Sequence, residues 1–162
     1  MYGALVGVAI GLIVGFPLAV AVHESGHLLA VLCLGFRCRS YALGPLEMSR
    51  DGIRWNRQWS LLHYGGLVQF EADEDVSLRK FGIVLAAGPF ANLLVGVLTR
   101  YAWRVLLLPL MHRGNVTVWP MVVDMIALMN LGMLCNILPF VHKGRLSDGA
   151  QLLLVVKLAG RV

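Results

Sequence analysis

The sequence predicts a mainly α-helical integral membrane protein: a bundle of three transmembrane helices, with a small membrane-associated β region between helices 1 and 2. Two observations carry this. The chain of 162 residues is 58% hydrophobic and 14% charged, where a soluble domain carries about 25% charged residues. The apolar residues are also gathered into three runs that approach or exceed the roughly 20 residues needed to cross a bilayer. The length suits a single unit over residues 1–162.

The first span, about residues 2–34, is uncharged except for Glu24. Its apolar run far exceeds the core of a signal peptide, and no basic residue precedes it, so a retained helix is expected. The second span, about 81–108, is free of charge from Phe81 to Leu98 and continues past Arg100 and Arg104. The third, about 119–138, carries only Asp124, for which pairing with Arg100 or Arg104 competes with the preferred reading, an interfacial position. Trp119, Tyr101 and Trp103 read as interfacial aromatics. Met121, Met125, Met129 and Met133, at helical spacing, read as a packing stripe.

Between the first two spans lies a strand-rich loop, about residues 40–70. Ser40–Ser49, Ile53–Trp59 and Leu61–Phe70 have strand character, and Asp51-Gly52 is a hairpin turn between the first two. Gly65-Gly66 permits a bulge or a close backbone approach, and the acidic run Glu71–Asp75 reads as a solvated turn. Inside the second span Pro89 removes a helical hydrogen bond and predicts a kink, while Gly82, Gly88 and Gly96 offer a flat packing surface. After the third span come a polar insert, His142–Ser147, and an apolar tail, Ala150–Ala159, too short to span by itself. The tail is expected to continue a broken third helix or to lie along the interface.

The basic residues are distributed unevenly. Seven lie in the first long loop (Arg37, Arg39, Arg50, Arg54, Arg57, Arg79, Lys80), four follow the third span (Lys143, Arg145, Lys157, Arg161), and three lie near the second connection (Arg100, Arg104, Arg113). The excess places the long loop and the C-terminus in the cytoplasm and the N-terminus outside. The loop's basic residues are mixed with acidic ones, so no basic stripe for nucleic acid emerges. Cys33, Cys38 and Cys135 form no CxxC pair. No disulfide is expected on this side of the membrane, and Cys33 and Cys135 read as small apolar core residues.

The chemistry is concentrated in His23-Glu24-Ser25-Gly26-His27. Residues i and i+4 share a helix face, so both imidazoles can reach one metal ion, and Glu24 beside them can serve as a general base toward water. Such a cluster is costly inside an apolar span and implies function. Two histidines leave a catalytic zinc site one protein ligand short. Asp148, Glu47, His63, His112 and His142 are the candidates. A carboxylate offsets the metal's charge where a third histidine does not, which lowers the cost of burying the site. That consideration does not separate Asp148 from Glu47. Asp148 is preferred because it follows a helix that must pack on the first one.

Three separated elements resemble the site-2 protease family of intramembrane zinc metalloproteases. His23–His27 resembles the zinc-binding helix. Gly88-Pro89-Phe90-Ala91-Asn92 resembles the family's GPxxN element. Asn136–Pro139 with Asp148-Gly149 resembles its NxxP…DG element, with a longer gap and with Ser147 where leucine is common. Leu61–Val68 is similar to its membrane-associated strand region.

The resemblance implies one Zn²⁺ per chain held by His23, His27 and Asp148. It implies Glu24 as the catalytic base and Asn92 and Asn136 as donors to the substrate backbone or the developing oxyanion. The implied activity is hydrolysis of peptide bonds in or near transmembrane segments of membrane proteins in regulated proteolysis, with the site towards the cytoplasmic side. The three-helix core has little added to it: neither a PDZ nor a CBS regulatory domain is expected. The partners would be a membrane protein substrate, the lipid bilayer and a regulatory membrane partner. A helical substrate must unwind to be cut, and the strands between Ser40 and Phe70 offer an edge on which it could pair. Two alternatives stand beside this reading: a membrane zinc protease with Glu47 as third ligand, and a metal-stabilised scaffold that cuts nothing.

Overall fold

A computed structural model of the chain describes residues 2–56, 65–71, 77–107, 118–142 and 144–160. Helix α1 (Tyr2–Cys33) is followed by four strands, β1 (Arg37–Leu43), β2 (Leu46–Ser49), β3 (Gly52–Trp55) and β4 (Gly66–Glu71). Helix α2 (Leu78–Ala102) runs on into a π-helical turn, Trp103–Leu107, and α3 (Val118–Gly132) tightens into a 3₁₀ turn, Met133–Ile137. A short hairpin, β5 (Val141–His142) and β6 (Arg145–Leu146), leads into α4 (Asp148–Ala159). Three helical stretches, Tyr2–Cys33, Leu78–Val105 and Val118–Ile137, are long and apolar enough to cross a membrane.

Helix α1 has 32 residues, which at 1.5 Å each make it about 48 Å long, well beyond the hydrocarbon thickness of a bilayer. It ends where Gly35 takes a φ of +80°. The Phe36 N–H then donates to the Val31 carbonyl (3.0 Å) and the Gly35 N–H to that of Leu32 (3.2 Å), a glycine-terminated close of the helix.

The buried face of α1 repeats every four residues: Gly7, Gly11, Gly15, Ala19, His23, His27 and Val31 are all buried. Four residues turn a helix by about 400°, so this row drifts about 40° per step. Its lower part meets α3. A Cβ on Gly11 would lie 2.5 Å from Met125 Cβ, one on Gly7 2.8 Å from Met121 Cβ, and one on Gly15 3.3 Å from Met129 Cγ. Small residues let the two backbones close, and the flexible methionines fill the seam, as the methionine spacing predicted. Further along, α1 meets α2, where a Cβ on Gly26 would stand 2.5 Å from the Ala87 carbonyl oxygen.

Helix α2 packs on α3 around Gly96, which faces Leu131 and Ala127. Arg100 and Asp124 link the same two helices by an ion pair of 3.3 Å. Asp124 thus has a partner in the bundle in place of the expected interfacial position, and Cys33 and Cys135, expected in the core, are both exposed.

The four strands form one antiparallel sheet in the order β3-β2-β1-β4. The expected strand Ser40–Ser49 is two strands, broken at Gly44-Pro45, and Leu46–Ser49 doubles back along Leu43–Ser40. The predicted Asp51-Gly52 turn joins β2 to β3, with Gly52 at φ +113°. Of the expected strand Ile53–Trp59, residues 57–59 lie outside the described residues, as do 61–64 of Leu61–Phe70 and 72–75 of the acidic run. Phe70 of β4 stacks with Phe36 after α1 (5.2 Å) and with Phe81 of α2 (5.8 Å), which seats the sheet edge against both helices. The apolar tail is α4, a separate helix that lays Leu152 and Val155 against Gly82 of α2.

Candidate metal centre

His23 and His27 stand one turn apart on α1, at the level where α2 and α4 converge on it. Each imidazole is fixed by its Nδ1. His23 Nδ1–H donates to Asn92 Oδ1 of α2 (2.7 Å). His27 Nδ1–H donates to the Val84 backbone carbonyl, also on α2 (2.7 Å). The oxygen identity at Asn92 follows from its other contacts. Its Nδ2 donates to the Ala19 carbonyl (2.8 Å) and to Asn130 Oδ1 of α3 (3.0 Å), so the amide oxygen must face His23. With the protons on Nδ1, both Nε2 atoms of the neutral rings carry lone pairs.

These lone pairs point at one place. The two Nε2 atoms are 3.2 Å apart, and Asp148 Oδ2 lies 2.8 Å from His23 Nε2 and 3.4 Å from His27 Nε2. A tetrahedral ion with bonds of about 2.0–2.1 Å needs ligand separations of about 3.3 Å. The observed triangle is close to that. Three acceptor atoms so placed repel one another unless a cation sits among them, and two imidazole nitrogens with one carboxylate oxygen suit zinc. Among the described residues these three side chains form the cluster able to hold a metal ion.

Asp148 arrives through its own local fold. Ser147 caps α4: its Oγ accepts from the Ala150 N–H (3.2 Å) and the Phe140 N–H (3.1 Å) and donates to the Leu138 carbonyl (2.7 Å). The serine that departs from the family pattern therefore ties the start of α4 to the end of the 3₁₀ turn. Gly149 lets α4 touch the Ile137 carbonyl, where a Cβ would overlap it. Burial pushes the Asp148 carboxyl up; when the imidazoles of the metal-free site carry a second proton, their hydrogen bonds and charge outweigh it and hold the pKa at about 2.

Glu24 is buried beside the histidines and lines the same cleft, of about 560 Å³, with β4 along one side. Gly66 of β4 passes so close to Glu24 that a Cβ there would overlap the carboxylate stem. Gly88 makes the same kind of approach to His27, whose imidazole occupies the space of the missing side chain. Its neighbour Pro89 lies within continuous helix, where it leaves the Leu85 carbonyl without a helical donor.

The two asparagines occupy different places. Asn136 faces the cleft, its Nδ2 donating to His23 Nε2 and Asp148 Oδ2 (3.2 Å each). Asn92 departs from the substrate-facing position expected of it. It is fully buried behind His23, with its oxygen and both amide hydrogens engaged inside the bundle. Glu47 is exposed on β2, paired across the hairpin with Arg54, and does not join the cluster. His63 and His112 lie outside the described residues, as does the His142 side chain. Asn130 went unremarked in the sequence. Its one signal was a polar side chain in an apolar span.

Residues 11–109 match Peptidase family M50. The matched stretch contains His23–His27 and Gly88–Asn92 and stops short of Asn136 and Asp148, whose place rests on geometry. No curated protein and no solved structure matches the chain. With more than half its length matched and the histidine pair standing where a zinc helix requires it, the chain belongs to peptidase family M50, the site-2 protease family of membrane zinc metalloproteases.

Proposed function

We propose that the chain is an intramembrane zinc-dependent endopeptidase that cuts peptide bonds in or near transmembrane segments of membrane proteins. The observation that carries this is the convergence of His23 Nε2, His27 Nε2 and Asp148 Oδ2 at zinc-like separations, with Glu24 in the same cleft. Bound zinc supplies Lewis acidity, polarising a carbonyl and acidifying water.

The protein's own groups do the rest. His23, His27 and Asp148 hold the ion, while Asn92 and the Val84 carbonyl keep both Nε2 atoms free of protons. Glu24 takes the proton of the attacking water and returns it to the leaving amine. Asn136 presents an amide N–H to the cleft and is placed to donate to the developing oxyanion. Among the described residues β4 pairs on one side only, with β1. Its other edge has no strand partner among the described residues, and an extended substrate segment adding to that edge near Glu24 would carry its peptide bond past the ion.

The basic loop and C-terminus support an orientation with this cleft on the cytoplasmic side. The test is Glu24→Gln compared with wild type by proteomics of membrane fragments. Loss of specific fragments with zinc retained supports the proposal. Identical fragment patterns would favour a metal-stabilised scaffold.

A further inference from the structure

We infer that Asn130 is a positioning residue for the zinc site, acting through Asn92 to decide which nitrogen of His23 carries the proton. Asn130 touches neither histidine. It is fully buried near the C-terminal end of α3, and its Nδ2 donates to the Ile126 carbonyl one turn back (2.9 Å). That contact forces its Oδ1 outward, where it accepts from Asn92 Nδ2 (3.0 Å). Asn92 Nδ2 also donates to the Ala19 carbonyl of α1 (2.8 Å), so Asn92 Oδ1 is turned to His23 Nδ1 (2.7 Å).

An asparagine amide has nearly the same shape in either orientation, and only its partners choose between them. Each link in this chain has one workable orientation, because each ends on an acceptor that cannot donate. If Asn92 turned over, its NH₂ would face Nδ1. The proton would then move to Nε2, the atom needed for the metal. The backbone carbonyl of Ile126, through two amides, thus acts together with that of Ala19 to fix the tautomer of His23 on another helix. His27 is oriented independently, since its Nδ1–H ends directly on the Val84 carbonyl. It serves as an internal control.

The consequence for metal rests on the zinc reading; the tautomer does not, so the two can fail separately. The full chain in detergent, labelled with nitrogen-15 at histidine, is stripped with a chelator and examined by NMR, then titrated with Zn²⁺. Wild type is expected to show both histidines protonated at Nδ1. Asn130→Leu, of similar volume but without an acceptor, should lose that state at His23 alone, and its Kd for zinc should rise about 10–100-fold. Asn130→Asp keeps an acceptor for Asn92 and should keep the His23 tautomer, which decides the matter even where the leucine variant fails to fold. A wild-type His23 protonated at Nε2 would overturn the inference. So would a folded Asn130→Leu chain with an unchanged His23 signal, equal changes at His23 and His27, or loss of the tautomer in Asn130→Asp. Tautomers as expected with no zinc bound by wild type would leave the positioning chain standing and count against the metal reading.

Discussion

Asp148 Oδ2 lies 2.8 Å from His23 Nε2, although 125 residues separate them in the chain. Two devices close that distance. The glycine row of α1 brings α3 against it, and the Ser147 cap then turns the chain so that the first residue of α4 faces the histidines. The proposed ligand set is therefore a product of helix packing. Its sensitivity to substitution should extend well beyond the ligands.

Substitutions at two glycines should separate metal binding from cleavage. Gly88→Ala would push a methyl into the His27 ring, and Gly66→Ala would push one into Glu24. The first should weaken zinc about 10–100-fold, as losses in the shell around a metal ligand do. The second should leave zinc in place and lower turnover. Competition with a chelating dye, beside a cleavage assay, checks both.

A third glycine tests the bundle. Gly11→Val places branched carbons where Met125 and the α3 backbone already stand. Overpacking of this kind costs about 1–3 kcal/mol. Thermal unfolding in detergent should show the loss, and Gly132→Val, at a position with nothing within 4 Å of its added Cβ, should show less.

How much of this could be read from the residues alone differs from part to part. The histidine pair was legible because i and i+4 share a face on any helix, and the three spans because apolar runs of that length have few other uses. The third ligand was legible as a preference for Asp148 within a shortlist. Glu47 and Asp148 carry the same chemistry, and packing alone distinguishes them: one is exposed on β2, the other sits at the capped start of α4. Asn92 was found, but its direction was not. A motif names an amide without saying whether it faces a cleft or the back of an imidazole. Asn130 and the Asp124–Arg100 pair depend on how α3 rotates against its neighbours, which no local pattern encodes.

The open edge of β4 gives a prediction about substrate. Successive N–H groups of a strand point to opposite sides, so proline at Leu67 and at Val68 should behave differently. One removes a bond to β1 and disturbs the sheet. The other faces the open edge and should abolish cleavage with zinc retained. Cleavage undiminished in both variants would exclude strand addition.

Acid should release the metal through the imidazoles first. The Asp148 carboxyl has its pKa lowered from 3.8 to about 2. In the metal-free chain its contribution to stability is therefore complete above about pH 4 and is lost as pH falls towards 2. Imidazoles bind metal only when neutral, so they lose it in milder acid. Zinc release followed by a dye should be complete well above pH 3, while infrared bands of labelled aspartate should show Asp148 still ionised there.

The most direct measurement is the zinc content of the purified full chain by elemental mass spectrometry, with Asp148→Ala and Glu47→Ala prepared alongside. One zinc per chain is predicted for wild type and for Glu47→Ala, and a small fraction of that for Asp148→Ala. A wild-type protein without stoichiometric zinc, or an Asp148→Ala protein that keeps its full complement, would contradict the assignment of His23, His27 and Asp148 as the metal site.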